Sequence, residues 1–217
     1  MFRWQIRPPA FLRRLLPGTV WRLPVAGERV VYLTFDDGPI PEVTPAILDM
    51  LEAEGAKATF FCVGDNVRKH PEEYALLRQK GMGTGNHGYA HRQAWRTRRK
   101  DWLADVEEGS AYVPGELFRP SHGQLYPGWL ADLRKYCRHI VMWDVLSYDY
   151  RADLKSEDIE HNVLRHVRPG SIVALHDSLK AWPRLQTALP RILRQLKKEG
   201  YRLESLTPAE IEKRCKK

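Results

Sequence analysis

The sequence predicts one α/β domain whose parallel strands curl into a small barrel. Three observations predict it. Short apolar, β-branched runs alternate with helical stretches along the chain, the mark of right-handed βαβ units. Seven such runs occur, a number that suits one small barrel better than two domains. The unusual polar residues directly follow these runs, so parallel strands gather them on one face. A doubly wound open sheet is the structural alternative and obeys the same rule.

Residues 30–35 (VVYLTF) read as a buried strand. Thr44-Pro45 then supplies an N-cap and a proline at the first helical position, and Gly55 stops the helix. Residues 58–63 (ATFFCV) are the second strand, and Pro71 opens a helix that ends at Gly81. Residues 82–86 are a weaker strand, 97–109 a helix, 117–119 a short strand and 127–137 a helix. Residues 139–143 (HIVMW) form the fifth strand, and Ser156 caps a helix with Glu157 and Asp158 in its first turn, where they suit the dipole. Residues 171–175 (SIVAL), a helix over 187–199, a strand over 201–206 and a helix from Thr207-Pro208 complete the pattern.

At 217 residues, with 43% hydrophobic and 29% charged residues, the chain suits one soluble domain. The expected division is a basic N-terminal arm over 1–27, a catalytic domain over 28–208 and a basic tail over 209–217. The net charge of +8 is concentrated at the ends, in Arg3, Arg7, Arg13, Arg14 and Arg22 and in Lys213, Arg214, Lys216 and Lys217. Most of this reads as solvated surface. Peripheral contact with an anionic glycan or lipid surface is the sharper alternative, and the absence of a nucleic-acid-binding motif argues against nucleic acid. No apolar run spans a bilayer, and Pro8, Pro9 and Pro17 interrupt the N-terminal segment. The expectation is therefore a cytoplasmic protein without a transmembrane segment. Cys62, Cys137 and Cys215 are odd in number and widely spaced, which fits free thiols in a reducing compartment.

The strand ends carry the chemistry. Asp36-Asp37-Gly38-Pro39 follows the first strand, His87 and His91 the third, Arg119 the fourth, Asp144 and Asp149 the fifth and His176-Asp177 the sixth. His87 and His91, four apart on a helical turn, share a face and suit one divalent ion. A carboxylate from Asp36-Asp37 completes an Asp-His-His set that leaves room for water and substrate. The adjacent aspartate points elsewhere and suits a general base. His176 suits a general acid because imidazole titrates near working pH. Taken singly, the aspartate pair reads equally as a turn, and a capped turn histidine is the lesser alternative for His176.

Thr34-Phe35-Asp36-Asp37-Gly38-Pro39 resembles the first motif of the polysaccharide deacetylases, the NodB-homology domain of carbohydrate esterase family four. Asn86-His87 with His91 is similar to the second motif, Arg119-Pro120 through Gly123 to the third, residues 143–150 to the fourth and Leu175-His176-Asp177 to the fifth. All five occur in the family's order. The resemblance implies a distorted (β/α)7 TIM-like barrel and hydrolysis of N- or O-acetyl groups on carbohydrate. It implies a zinc-like metal, or cobalt, on Asp37, His87 and His91. It implies Asp36 as base, Arg119 as its orienting partner, His176 as acid, Asp149 as the group tuning His176, and the His122 backbone N–H as an oxyanion donor.

Four residues depart from the family pattern. Gly88 stands in place of Ser or Thr, Ser121 in place of Pro, His122 in place of Tyr, and Tyr150 in place of Trp. His122 is also weighed as an extra metal ligand. Trp95, Trp143, Tyr148 and Trp182 are the aromatic candidates for stacking on sugar rings, with packing as the plainer role. Rival functions are a non-catalytic carbohydrate- or metal-binding barrel, a related C–N hydrolase acting on a small amide, and a basic surface-binding scaffold.

Overall fold

The computed structural model describes residues 6–215. Its strands are β1 (Thr19–Val20), β2 (Val30–Asp36), β3 (Ala58–Cys62), β4 (Gly83–Asn86), β5 (Leu117–Phe118), β6 (His139–Val141), β7 (Val145–Leu146), β8 (Ile172–His176) and β9 (Arg202–Leu203). They form one curled parallel sheet in the order β1-β6-β5-β4-β3-β2-β8-β7, with β9 added to the lower part of β2. This is the distorted (β/α)7 type of barrel expected from the sequence, with the short β1 and β7 as strands the apolar runs did not reveal.

β2 is buried throughout because the sheet is covered on both faces. Its side chains alternate. Val31, Leu33 and Phe35 join the outer core, while Val30 and Tyr32 join the cluster with Phe61, Leu117, Val141 and Ile172 inside the curl. Thr34 and Asp36 share the parity of this inner row, so the last carboxylate of β2 sits at its upper end. The outer core is closed by α8 (Trp182–Lys198), whose Leu185, Ala188, Leu189, Ile192, Leu193 and Leu196 are buried at helical spacing. Around the sheet run α1 (Ala10–Leu15), α2 (Thr44–Ala53), α3 (Gly64–Lys69), α4 (Pro71–Gln79), α5 (Arg99–Tyr112), α6 (Leu130–Leu133), α7 (Ser156–Leu164) and α9 (Pro208–Cys215).

Several details differ from the sequence reading. The helix expected over 127–137 is a 3-10 turn, Pro127–Trp129, followed by the single turn of α6. α8 begins five residues earlier than expected, with proline in its first turn. At α7, Ser156 does not cap; its hydroxyl donates to Arg184 O, and Asp158 accepts from the Lys155 N–H. The basic arm is partly built into the fold, since β1 pairs with β6 and Trp21 and Leu23 are buried. Residues 209–215 lie in α9, anchored by buried Ile211. Arg3, Lys216 and Lys217 lie outside the described residues. Cys62 and Cys137 are buried free thiols and Cys215 is exposed.

Candidate active site

The parallel register delivers the chemistry to one rim. Asp36 pairs with Phe61 of β3 on one side and with His176 of β8 on the other, so the β2 and β8 ends stand level. A cleft of about 380 Å³ opens there, lined by Asp36, Asp37, His87, His91, His122, Gly123, Trp143, Leu146, Tyr150, His176 and Lys180.

Asp37, one residue past β2, turns away from Asp36 on a left-handed backbone, φ 87°. Its Oδ1 lies 3.1 Å from His91 Nε2 and 3.8 Å from His87 Nε2. The three ligand atoms lie within 4.8 Å of one another and form a candidate metal site. The donor set fits a divalent ion such as zinc: one carboxylate and two imidazoles, all three lining the cleft. His87 Nδ1 lies 2.8 Å from Arg119 O, so Nδ1 carries the hydrogen and Nε2 keeps its lone pair toward Asp37. Burial lowers the His87 pKa to about 4, which keeps the ring neutral as a ligand must be. Burial opposes ionisation of Asp37, but the His91 hydrogen bond and the charges of His176 and His91 outweigh it and hold the carboxyl below its usual range.

The histidine pair does not lie on a helical turn. Residues 87–93 form a loop in which Gly88 (φ 83°) and His91 (φ 54°) are both left-handed. Asp105, buried on α5, braces it by accepting from Tyr89 N (3.2 Å) and Ala90 N (2.8 Å). Asn86 Oδ1 accepts from Gly88 N at 2.7 Å, and Ser121 Oγ donates to His87 O at 2.7 Å. A Cβ on Gly88 would lie 2.6 Å from Asp105 Oδ2. Glycine is therefore what this loop requires, and Ser121 supplies a hydroxyl that holds it. Asp105 and Ser121 were missed as supports. The available signal was an acid on the buried stripe Trp102, Asp105, Val106 and Gly109 of α5.

Arg119 is fully buried beneath the cleft. Its Nη1 donates to Asp36 Oδ1 at 2.6 Å and to Thr34 Oγ1 at 2.7 Å, and its Nη2 donates to Met142 O at 3.0 Å. The guanidinium lies 4.1 Å from the Phe61 ring centroid. On the other side, Asp149 Oδ1 lies 2.7 Å from His176 Nδ1 and Oδ2 accepts from His176 N at 2.8 Å. Burial disfavours the imidazolium, but the Asp149 charge and hydrogen bond, with Asp37 and Asp36, raise His176 to about 9. Asp177 turns inward, accepting from Gly38 N and Thr44 Oγ1, and burial raises it to about 8.

Of the remaining sequence candidates, His122 and Trp143 reach the cleft. His122 stands on a left-handed backbone with its ring 4.3 Å from that of His91, and Gly123 lets Trp143 approach so closely that a Cβ would lie 2.2 Å from it. Tyr148 and Trp182 are not among the lining residues; both pack against the outer core. Trp95 is exposed and also outside the lining. Asp144 is not on this rim. It sits level with the start of β8, bonded to Arg13, Arg168 and Ser171. Tyr150 and Lys180 line the cleft and were not among the site candidates.

The fold and this rim define a barrel hydrolase with an Asp-His-His cluster flanked by a carboxylate and an imidazole. Residues 24–135 match the family model for polysaccharide deacetylase. A peptidoglycan-N-acetylglucosamine deacetylase of Bacillus cereus is 31% identical over 194 residues, covering 86% of this chain and 90% of its own. A chitooligosaccharide deacetylase of Bradyrhizobium sp. is 32% identical over 200 residues, covering 84% and 91%. A solved peptidoglycan N-acetylglucosamine deacetylase, in complex with a naphthalenyl N-oxidanyl-benzamide, superposes with TM-score 0.80 at 28% identity, covering 94% and 96% of the two chains. The chain belongs to the polysaccharide deacetylase family and is a hydrolase of that type.

Proposed function

We propose that this protein removes acetyl groups, N-linked or O-linked, from an acetylated carbohydrate in a metal-dependent reaction. The observation that carries the reading is the pairing of opposite proton chemistries beside one ligand group. Asp36 accepts from the buried guanidinium of Arg119 and is placed to take a proton, and His176 rests on Asp149, which favours the imidazolium. Asp37, His87 and His91 would hold a divalent ion such as zinc or cobalt, which when bound would supply Lewis acidity. Asp36 takes a proton from the attacking water. The His122 N–H, presented by the turn Ser121–Gly123, donates to the developing oxyanion. His176 gives its proton to the departing sugar nitrogen, so acetate and a free amine leave. Asp149 keeps that proton on His176 until it is needed. Trp143 and Tyr150 offer ring faces to a pyranose.

The test is acetate release from N-acetylglucosamine oligomers by zinc- or cobalt-loaded protein, beside chelated protein and His87→Ala. Release that needs both the metal and His87 supports the reading. Stoichiometric metal binding without release on any acetylated sugar rejects it and favours a small amide substrate or a binding role.

A further inference from the structure

A second cavity, of about 810 Å³, opens away from the cleft and is lined by Arg7, Arg13, Arg165 and Arg168 with His161 and His166. Asp144, level with the start of β8, is the one carboxylate paired with any of these arginines among the described residues. Its Oδ1 lies 2.8 Å from Arg13 Nη2, 2.9 Å from Arg168 Nη2 and 3.6 Å from Arg7 Nη2. Four guanidinium groups against one carboxylate leave the arginines of the cavity with a formal excess of about +3. Arg165 has no ion pair or side-chain hydrogen bond among the described residues, and Arg13 Nε is buried without a partner. The charge is therefore not explained by internal pairing.

The helix that carries Arg13 supplies a second, independent observation. Leu12 of α1 and Leu16, the residue that follows it, pack inward against the core with Trp21 and Phe118. Phe11 and Leu15, four apart, stand outward at 60% and 54% exposed, with exposed Arg14 between them in the sequence. Two large apolar side chains held in water beside a cationic cavity are costly for a free surface. They suit an interface where apolar groups enter the acyl boundary and guanidinium groups meet phosphates. A soluble phosphate explains the arginines but not Phe11 and Leu15.

We propose that this face docks the protein on an anionic phospholipid surface, with a headgroup phosphate in the Arg7–Arg13–Arg165–Arg168 cavity and Phe11 and Leu15 inserted beside it. His176, at the other end of β8, lies about 13 Å along the strand from this level, four residues at the usual rise. Docking thus leaves the cleft open.

Cosedimentation of the full chain with phosphatidylcholine vesicles, with and without phosphatidylglycerol, tests this. Arg165→Glu and Phe11→Ser/Leu15→Ser are run alongside, with circular dichroism and melting temperature checking that each folds. The expected result is binding to the anionic vesicles alone, weakened by added salt and reduced about tenfold or more by each variant. Absence of binding to anionic vesicles, equal binding to neutral ones, or binding indifferent to Phe11→Ser/Leu15→Ser overturns it. A melting temperature raised by inorganic phosphate, without vesicle binding, reassigns the cavity to a free phosphorylated ligand.

Discussion

Arg119 Nη1 donates to Asp36 Oδ1 at 2.6 Å with the arginine side chain fully buried and the carboxylate 6% exposed. Breaking such a pair from one side strands the other charge. Arg119→Met is expected to cost about 3–5 kcal/mol of stability, read as a lower urea midpoint. Asp36→Asn leaves a hydrogen-bonding partner for the guanidinium and is expected to cost less while abolishing acetate release. A folded Asp36→Asn protein with full activity would remove Asp36 from the base role.

His176 and Asp149 set the alkaline side of the pH profile. His176 is raised to about 9 by Asp149, so kcat/KM for acetate release should fall as pH rises through that region. Asp149→Asn removes the charge that holds the proton. The alkaline limb is expected to move to lower pH by about one unit or more, at unchanged secondary structure. A profile indifferent to Asp149→Asn would detach His176 from proton delivery.

Stability should also fall on the alkaline side. The folded chain holds the His176 proton above the usual histidine value near 6.5, so its contribution is full below about pH 6.5 and lost as pH rises through about 9. Burial raises Asp177 to about 8, so its ionisation between about pH 4 and 8 also works against the folded state. Urea unfolding of metal-free protein should show declining stability from pH 6.5 to 9. Asp177→Asn keeps an acceptor for Gly38 N and should flatten the curve below pH 8.

Gly88 is fixed by its neighbours. Its φ of 83° and the approach of Asp105 Oδ2 predict that Gly88→Ser is destabilising by about 1–3 kcal/mol, although the family pattern favours a hydroxyl there. Asp105→Ala unlatches Ala90 N, leaves Tyr89 N only the residue's backbone carbonyl, and should weaken zinc binding about 10–100-fold by calorimetric titration. Zinc affinity unchanged in Asp105→Ala would show that the loop holds itself.

Metal binding should couple to folding. A divalent ion at about a hundred times its Kd adds about 2.7 kcal/mol, a melting-temperature rise of roughly 5–10 °C for a chain of this length. His91→Ala should lose most of that rise, which calorimetry with and without chelator reads directly.

The amino-acid sequence by itself determined the alternation of strand and helix, the parallel sheet and the placement of Asp36, Asp37, His87, Arg119 and His176 at strand ends. These are local matters of apolar period, glycine and proline punctuation, and residues that immediately follow a strand. Other features came only from tertiary structure, because they depend on groups far apart in the chain. The histidine pair became a loop rather than a helical turn because Asp105, sixteen residues past Tyr89, takes its backbone N–H groups. Asp144 looked like its neighbour Asp149 in the sequence. Packing against Arg13 and Arg168 drew it to the base of β8 instead. Tyr148 and Trp182 were placed near the rim by loop position, but the outer core took both rings. β1 and β7, two residues each, carry too little pattern to announce themselves and exist because β6 and β8 offer them an edge. Pattern along the chain chose the fold and the chemistry; the side-chain partners at long range decided which polar residues meet in the cleft.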